Sequence, residues 1–237
     1  MRDYIILNGT SSQTISGLLI QNLPPISKPK IRANIEEIDG RDGDIITKLG
    51  YSAYDKELSI GLYGDYDVDD VIAYFTNNQS GKVIFSNEPD KYYNYQIIEQ
   101  IDFDKLIRYR TATVKMHMQP FKYSSEDNQK VFSDTGRATS ISIRNVGNIY
   151  SRPIITITGS GSIDLYLNGN QLFSINMGNY ASITIDTNNM NAYNGSTLLN
   201  RNVTGSYDNF KLNVGSNTIS WSGTITQIEI DNYSRWI

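Results

Sequence analysis

Asp65, Asp67, Asp69 and Asp70 stand close enough in sequence to open a calcium-binding loop. Such a loop needs glycine at its sixth position for a sharp turn and a bidentate acid at its twelfth. Counted from Asp65, those positions hold Asp70 and Thr76. The acids read better as the N-cap and first-turn charges of a helix. His117 is the only histidine, and the chain has no cysteine. With no cysteine and no second histidine, a zinc or triad site is not expected, and His117, opposite the apolar face of an alternating strand, reads as a surface or interface residue. Disulfides are excluded. Gly159-Ser160-Gly161-Ser162 contains G-x-G without the following helix that a phosphate cradle requires, and it reads as a turn. Asp164, Asp186, Asp208, Glu229 and Asp231 are candidates for the carboxylate pair of a glycoside hydrolase. Such a pair must face across roughly 5–10 Å, and spacing alone pairs no two of them. Tyr180, Tyr193, Tyr207, Trp221 and Trp236, among many asparagines, could offer sugar an aromatic platform. Trp221 lies in an alternating run, Ile219-Ser220-Trp221, which assigns it to the core. No catalytic, metal or cofactor constellation emerges. Function is expected in surfaces, through assembly and binding, and not in enzymatic chemistry.

The elements that must carry those surfaces are mostly short strands. Tyr4–Leu7 opens the chain as a strand closed by Asn8-Gly9, and Leu18–Ile20 follows. From Lys30 to Ile38 the residues Ile31, Ala33 and Ile35 alternate with polar ones, the period of a half-buried strand. Asp39-Gly40-Arg41-Asp42-Gly43 is a charged turn, and Ile45–Leu49 and Leu58–Leu62 are further strands. Together they predict a hairpin with a polar tip that projects from the body. Asp67–Asn78 is the best helix, since Val68, Val71, Ile72 and Phe75 share one face. Lys82–Phe85, Tyr93–Gln100 and Arg108–Met118 read as strands, with a turn at Asn87-Glu88-Pro89-Asp90. Near Phe132–Arg137 the composition changes to Asn, Ser, Thr, Gly and Ile. Beyond it, about eight short strands with frequent turns, Asn168-Gly169 the clearest, predict an antiparallel sandwich. The expected domains are 1–133 and 134–237.

The formal net charge is −4, which argues against holding a nucleic acid by phosphate neutralisation. Repeated around a ring, that charge would let a polyanion slide past without sticking. The apolar run at the N-terminus is too short for a signal peptide, and no run approaches a membrane span. Synthesis in a cytoplasm is expected, with later export only as part of a particle.

Several motifs, in order, resemble siphophage distal tail proteins. They are Ile38–Gly43, the short helix, Gly81 to Tyr93 with its Asn87-Glu88-Pro89-Asp90 turn, and Gln119-Pro120-Phe121-Lys122-Tyr123. In the second half they continue through Asn145–Asn148, Pro153–Gly161, Asn168-Gly169, Ile185-Asp186 with Tyr193, and Leu212–Ile219. The resemblance implies a mainly β fold. An N-terminal β-sandwich or split-barrel domain, with one short α-helix and a projecting β-hairpin, would precede a C-terminal antiparallel β-sandwich of galectin-like or carbohydrate-module-like type. It also implies a structural baseplate-hub protein of a long-tailed phage. Its N-terminal domains would form a hexameric ring, or stacked rings, that joins the tail tube protein to the tail-tip protein. Receptor-binding proteins would be further partners, DNA would pass through the channel without specific binding, and the location would be the virion. Asp39, Arg41 and Asp42 at the hairpin tip, and Glu88, Asp90 and Tyr92 in the second turn, are the expected inter-subunit contacts. The alternative reading is a glycan-binding module that contacts the host cell wall.

Overall fold

The computed structural model describes residues 2–126, 129–133 and 139–237. The chain forms two units, the first ending at Glu126 and the second extending to Trp236. In the first lie β1 (Ile5–Leu7), β2 (Thr10–Ser11), β3 (Leu18–Asn22), β4 (Ile31–Glu37), β5 (Asp44–Tyr51) and β6 (Tyr54–Leu62). After α1 (Val68–Thr76) come β7 (Ser80–Phe85), β8 (Lys91–Gln96), α2 (Phe103–Tyr109) and β9 (Thr111–Ser124). Alternation in β9 turns Ala112, Val114, Met116 and Met118 inward, as their spacing predicts, and Thr113 outward. β6 does the same with Leu58 and Ile60. The two strands pair antiparallel from Tyr54–Met118 to Gly61–Thr111. They sit in a curled sheet whose order runs β2-β1-β7-β8-β9-β6-β3.

The predicted helix is present as α1. Asp67 caps it, accepting from the Asp69 amide at 2.8 Å, and Asp69 and Asp70 occupy the first turn. The acids that resembled a calcium loop are thus used on the helix's own amides and dipole. Val71, Tyr74 and Phe75 of α1 join Leu106 of α2 in the core of this unit. α2 departs from the expectation of a strand beginning at Arg108. Asp102 caps it at the Lys105 amide, and Arg110 ends it in a left-handed conformation, φ 59°.

The second unit holds β10 (Gln129–Ser133), β11 (Ser140–Asn145), β12 (Ile154–Leu167), β13 (Asn170–Asn176), β14 (Ser182–Asp186), β15 (Asn191–Asn194), β16 (Thr197–Leu198), β17 (Val203–Gly205) and β18 (Gly215–Asp231). β12 and β18 are long strands where the sequence suggests pairs of short ones. Both bend midway, with register shifts near Gly159 and Ser160. Gly159-Ser160-Gly161 is therefore the corner of one strand and not a turn between two. A Cβ at Gly159 would lie 2.3 Å from the Thr224 carbonyl oxygen, and one at Gly223, φ 93°, would lie 2.4 Å from that of Ser162. Only glycine lets the two backbones approach this closely.

The bend splits the sheet into two layers. One runs β16-β15-β14-β12-β18-β10 through the first half of β12. The other joins β17, β13, β11 and the remaining halves of β12 and β18. Ile155, Ile157, Ile183, Ile185, Ile228 and Ile230 face Leu165, Phe173, Ile219 and Trp221 in one core. Asn168 and Gly169, at φ 51° and 84°, form the predicted hairpin turn. β10 pairs with β18 from Gln129–Asp231 to Ser133–Gln227, so Phe132 belongs to the second sheet and not to a domain ending at residue 133. Residues 134–138, which include most of the compositional break, lie outside the described residues.

Candidate assembly interface

β4 and β5 pair only with each other among the described strands, as the predicted projecting hairpin. Asp39, Arg41 and Asp42 lie exposed at its tip. The turn closes with the Arg41 amide donating to the Ile38 carbonyl at 3.1 Å, and Gly40 and Gly43 take positive φ. Charge is divided along the arm. Its base carries Lys28, Lys30, Arg32 and Lys48, whereas its outer part carries Glu36, Glu37, Asp39, Asp42 and Asp44 with Arg41. Register places Ile31 opposite Tyr51, Ala33 opposite Lys48 and Ile35 opposite Ile46, all on one face. That face stays in solvent, with Ile35 59% and Ile46 66% exposed. At its base Tyr51 meets Phe121 edge-on, ring centroids 5.5 Å apart, and supports Lys48 over its own ring at 4.4 Å.

The second predicted contact, the turn at residues 88–92, is not one surface. Glu88 is buried. It accepts hydrogen bonds from the Tyr93 hydroxyl and, at 2.7 Å, from Lys122 Nζ. Lys56, also buried, donates to the Pro25 carbonyl and lies 5.4 Å from the Tyr93 ring centre. Two cations and one carboxylate thus share an interior held by Tyr54 and Tyr93. Burial pushes the Tyr54 phenol up to about 12, helped by the Glu88 charge. Burial, then the hydrogen bond to Glu88 and its charge, raises Tyr93 further. Burial lowers Lys56, Glu88 opposes that shift, and Lys122 adds to it. Lys56 of this cluster ties the segment before β4 to the body through the Pro25 carbonyl. Asp90 stays exposed and pairs with Lys91. Tyr92 stacks on Tyr123 at 5.4 Å beneath Lys82.

The other candidates also find local partners. His117 Nδ1 lies 2.7 Å from Asp55 Oδ1, and Lys115 bridges Asp55 and Glu99 on the same exposed strand face. The His117 hydrogen bond chiefly holds the Asp55 carboxyl below its usual range. Asp186 accepts from the Asn188 and Asn189 amides and closes a turn. Asp208 pairs with Arg152 at 2.8 Å. Asp164 accepts from Ser174 and Gln171. Trp221 is in the core, as expected, and Tyr207 packs against Phe173. Tyr193 is different. It shares the outer face of its layer with Thr184, Thr156 and Glu229 in one row, beside a row of Asp186, Ile154 and Asp231. Tyr233 sits within electrostatic reach of Asp231, Asp186 and Tyr193. Its own burial first, then these charges, raise its hydroxyl to about 12. Among the described residues, no group of three or more His, Asp or Glu could hold a metal ion.

Residues 8–118 match the profile of the phage tail protein RIFT-related domain. No curated protein sequence matches the chain. The fold is similar to the crystal structure of the SPP1 Dit protein, described as a paradigm of the hub adsorption apparatus in phages that infect Gram-positive bacteria. The TM-score is 0.67 at 16% identity, covering 98% of this chain and 99% of that one. It is also similar to a chain of the phage P2 baseplate in its activated conformation with Ca, with a TM-score of 0.54 at 12% identity and 97% of each chain covered. At such identities the likeness is one of fold. The resemblance drawn from turn and strand motifs is met both by the domain family and by the full-length fold.

Proposed function

We propose that this chain, whose residues 8–118 match the phage tail protein RIFT-related domain, is the distal tail protein of a long-tailed phage. Its first units close into a hexameric ring at the end of the tail tube. The ring joins the tube protein to the tail-tip protein, offers docking points to receptor-binding proteins, and leaves a channel for DNA. The protein is a virion component without enzymatic activity. The full-length likeness to the SPP1 Dit protein carries this reading. Two further features support it. Net negative charge disfavours retention of a passing polyanion. A free two-stranded arm suits a head-to-tail contact, since rotational closure needs different patches on the two sides of each subunit. Asp39, Arg41, Asp42 and Asp90 remain available for that contact, while burial withdraws Glu88. Negative-stain images of the purified protein should show rings with an axial hole. Monodisperse single particles, with and without tube protein, would overturn the reading.

A second reading, a glycan-binding module, is favoured by the outer face bearing Tyr193, Glu229 and Asp231, with Tyr233 within electrostatic reach of Tyr193 and Asp231. Phenols, carboxylates and threonine hydroxyls there suit a neutral polyol. Calorimetry with neutral wall oligosaccharides should then give heat that Tyr193→Ala abolishes. Equal traces for both proteins would dismiss it.

A further inference from the structure

Asparagine precedes glycine three times, at Asn8-Gly9, Asn168-Gly169 and Asn194-Gly195. Such a pair carries its own chemistry. Glycine has no side chain to shield its backbone nitrogen, and that nitrogen can attack the Cγ of the preceding asparagine and close a five-membered ring. All three glycines are exposed and take positive φ, so they do not set the sites apart. The asparagines do.

Asn8 and Asn168 stand at φ 49° and 51°. In that left-handed region ψ lies near about +47°. The following nitrogen is then turned about the Cα–C bond to the side opposite Cβ, too far from Cγ to attack it. Both side chains are also held. Asn8 Oδ1 accepts from the Lys82 amide at 2.9 Å, while its Nδ2 donates to the Ser80 carbonyl at 2.9 Å and to Asn78 Oδ1 at 3.1 Å. Asn168 Oδ1 accepts from the Thr218 amide at 2.8 Å, and its Nδ2 donates to Asn217 Oδ1 at 3.2 Å. Neither can swing its Cγ towards the glycine without breaking bonds on both atoms.

Asn194 differs on both counts. It is the last residue of β15 and lies outside the left-handed region. Its Nδ2 donates to the Ser182 carbonyl at 2.8 Å and to the Ser182 hydroxyl at 3.1 Å, but among the described residues nothing donates to its Oδ1. The hairpin around it is thin. β15 and β16 share the pairs Tyr193–Leu198 and Asn194–Thr197, and Leu198 is 66% exposed. Local opening of so short an edge frees ψ of Asn194 to rotate.

We infer that Asn194 is a site of spontaneous covalent modification, through a succinimide formed with Gly195. The Gly195 nitrogen gives up its proton and bonds to Asn194 Cγ. The Cγ–Nδ2 bond breaks, and Nδ2 leaves as ammonia with that proton. Solvent water then opens the ring. Cleavage at the backbone carbonyl leaves isoaspartate, and cleavage at Cγ leaves aspartate. One water is consumed, one ammonia is released, and nothing is oxidised or reduced. Either product replaces the amide donor by a carboxylate facing the Ser182 carbonyl, an acceptor against an acceptor. Isoaspartate also adds a methylene to the main chain. The side-chain tie from the end of β15 to β14 is lost, and the edge hairpin that carries Tyr193 loosens.

The test holds the purified full chain in mildly alkaline buffer and follows digests over time by mass spectrometry, with electron-transfer fragmentation to tell isoaspartate from aspartate. Asn194 should convert at least about tenfold faster than Asn8 or Asn168, a difference of about 1.4 kcal/mol in barrier. In urea the three rates should converge, because unfolding removes the turn geometry that protects the other two. Equal rates in the folded protein, or Asn8 or Asn168 in the lead, would overturn the assignment. Asn194→Asp should speed amide hydrogen exchange across residues 191–198 and leave the rest of the second unit unchanged. Exchange at the wild-type rate would overturn the loosening.

Discussion

Replacing Glu88 by glutamine removes the carboxylate that shares an interior with Lys56 and Lys122. The side chain keeps its volume, so packing is preserved and the change is electrostatic. Lys122 Nζ, 2.7 Å away and 9% exposed, loses its charged partner. The Tyr93 hydroxyl then donates to a neutral acceptor. Removing one member of a buried ion pair costs about 3–5 kcal/mol, because a charge is stranded in the interior. Glutamine still accepts hydrogen bonds, so the low end, about 3 kcal/mol, is expected. For a unit of this size that corresponds to a fall in melting temperature of roughly 10 °C. Urea unfolding followed by tyrosine fluorescence would measure it, with the slope against urea unchanged. Asp90→Asn is the control, since its pair with Lys91 is largely exposed on the Asp90 side and should cost under about 0.5 kcal/mol. A loss below about 1 kcal/mol for Glu88→Gln, together with failed assembly, would refute the placement of Glu88 as an interior residue and restore it to the interface.

Lys56 gives a pH signature. Its folded value is lowered from 10.5 by burial, so between that value and 10.5 the unfolded chain binds more protons and stability rises with pH. The difference between wild type and Lys56→Met, measured by urea unfolding as pH is raised from neutral towards 10.5, should shift in favour of wild type as pH rises; a flat difference would contradict the burial. Gly223→Ala should cost about 2–3 kcal/mol or more, from its positive φ and the 2.4 Å approach to the Ser162 oxygen, visible as a lower thermal midpoint of the second unit. Asn145→Ala should cost about 3 kcal/mol, because the Ile149 and Leu212 carbonyls and the Gly147 amide lose their partner; a change under about 1 kcal/mol in denaturant would show that water replaces it.

The legible parts of this fold were those written in local pattern. α1 could be read because four apolar residues fall on one face behind a capping aspartate. β4, β5 and their tip could be read from alternation around a two-glycine turn. α2 is not legible in the sequence because a seven-residue helix that buries only Leu106 has no period to display, and its one signal is the Asp102 cap. In sequence β12 and β18 look like pairs of strands because glycines at a corner look like glycines in a turn. Only the partner strand's backbone distinguishes the two. The buried charges were a subtler case. Lys56 shares the inward parity of Leu58 and Ile60, and Lys122 that of Met116 and Met118. That parity was available in the sequence, but its compensation by Glu88 from a distant turn was not. The arm tip was located correctly as a solvent-exposed turn, whereas nothing local tells which surface it meets.

Closure of the chain on copies of itself is the claim on which the rest depends, and mass decides it most directly. Light scattering on the purified protein at micromolar concentration, with tube protein added in a parallel run, should give six times the 26.7 kDa of one chain, or a multiple of that for stacked rings. A mass that stays at 26.7 kDa in both runs would contradict the account.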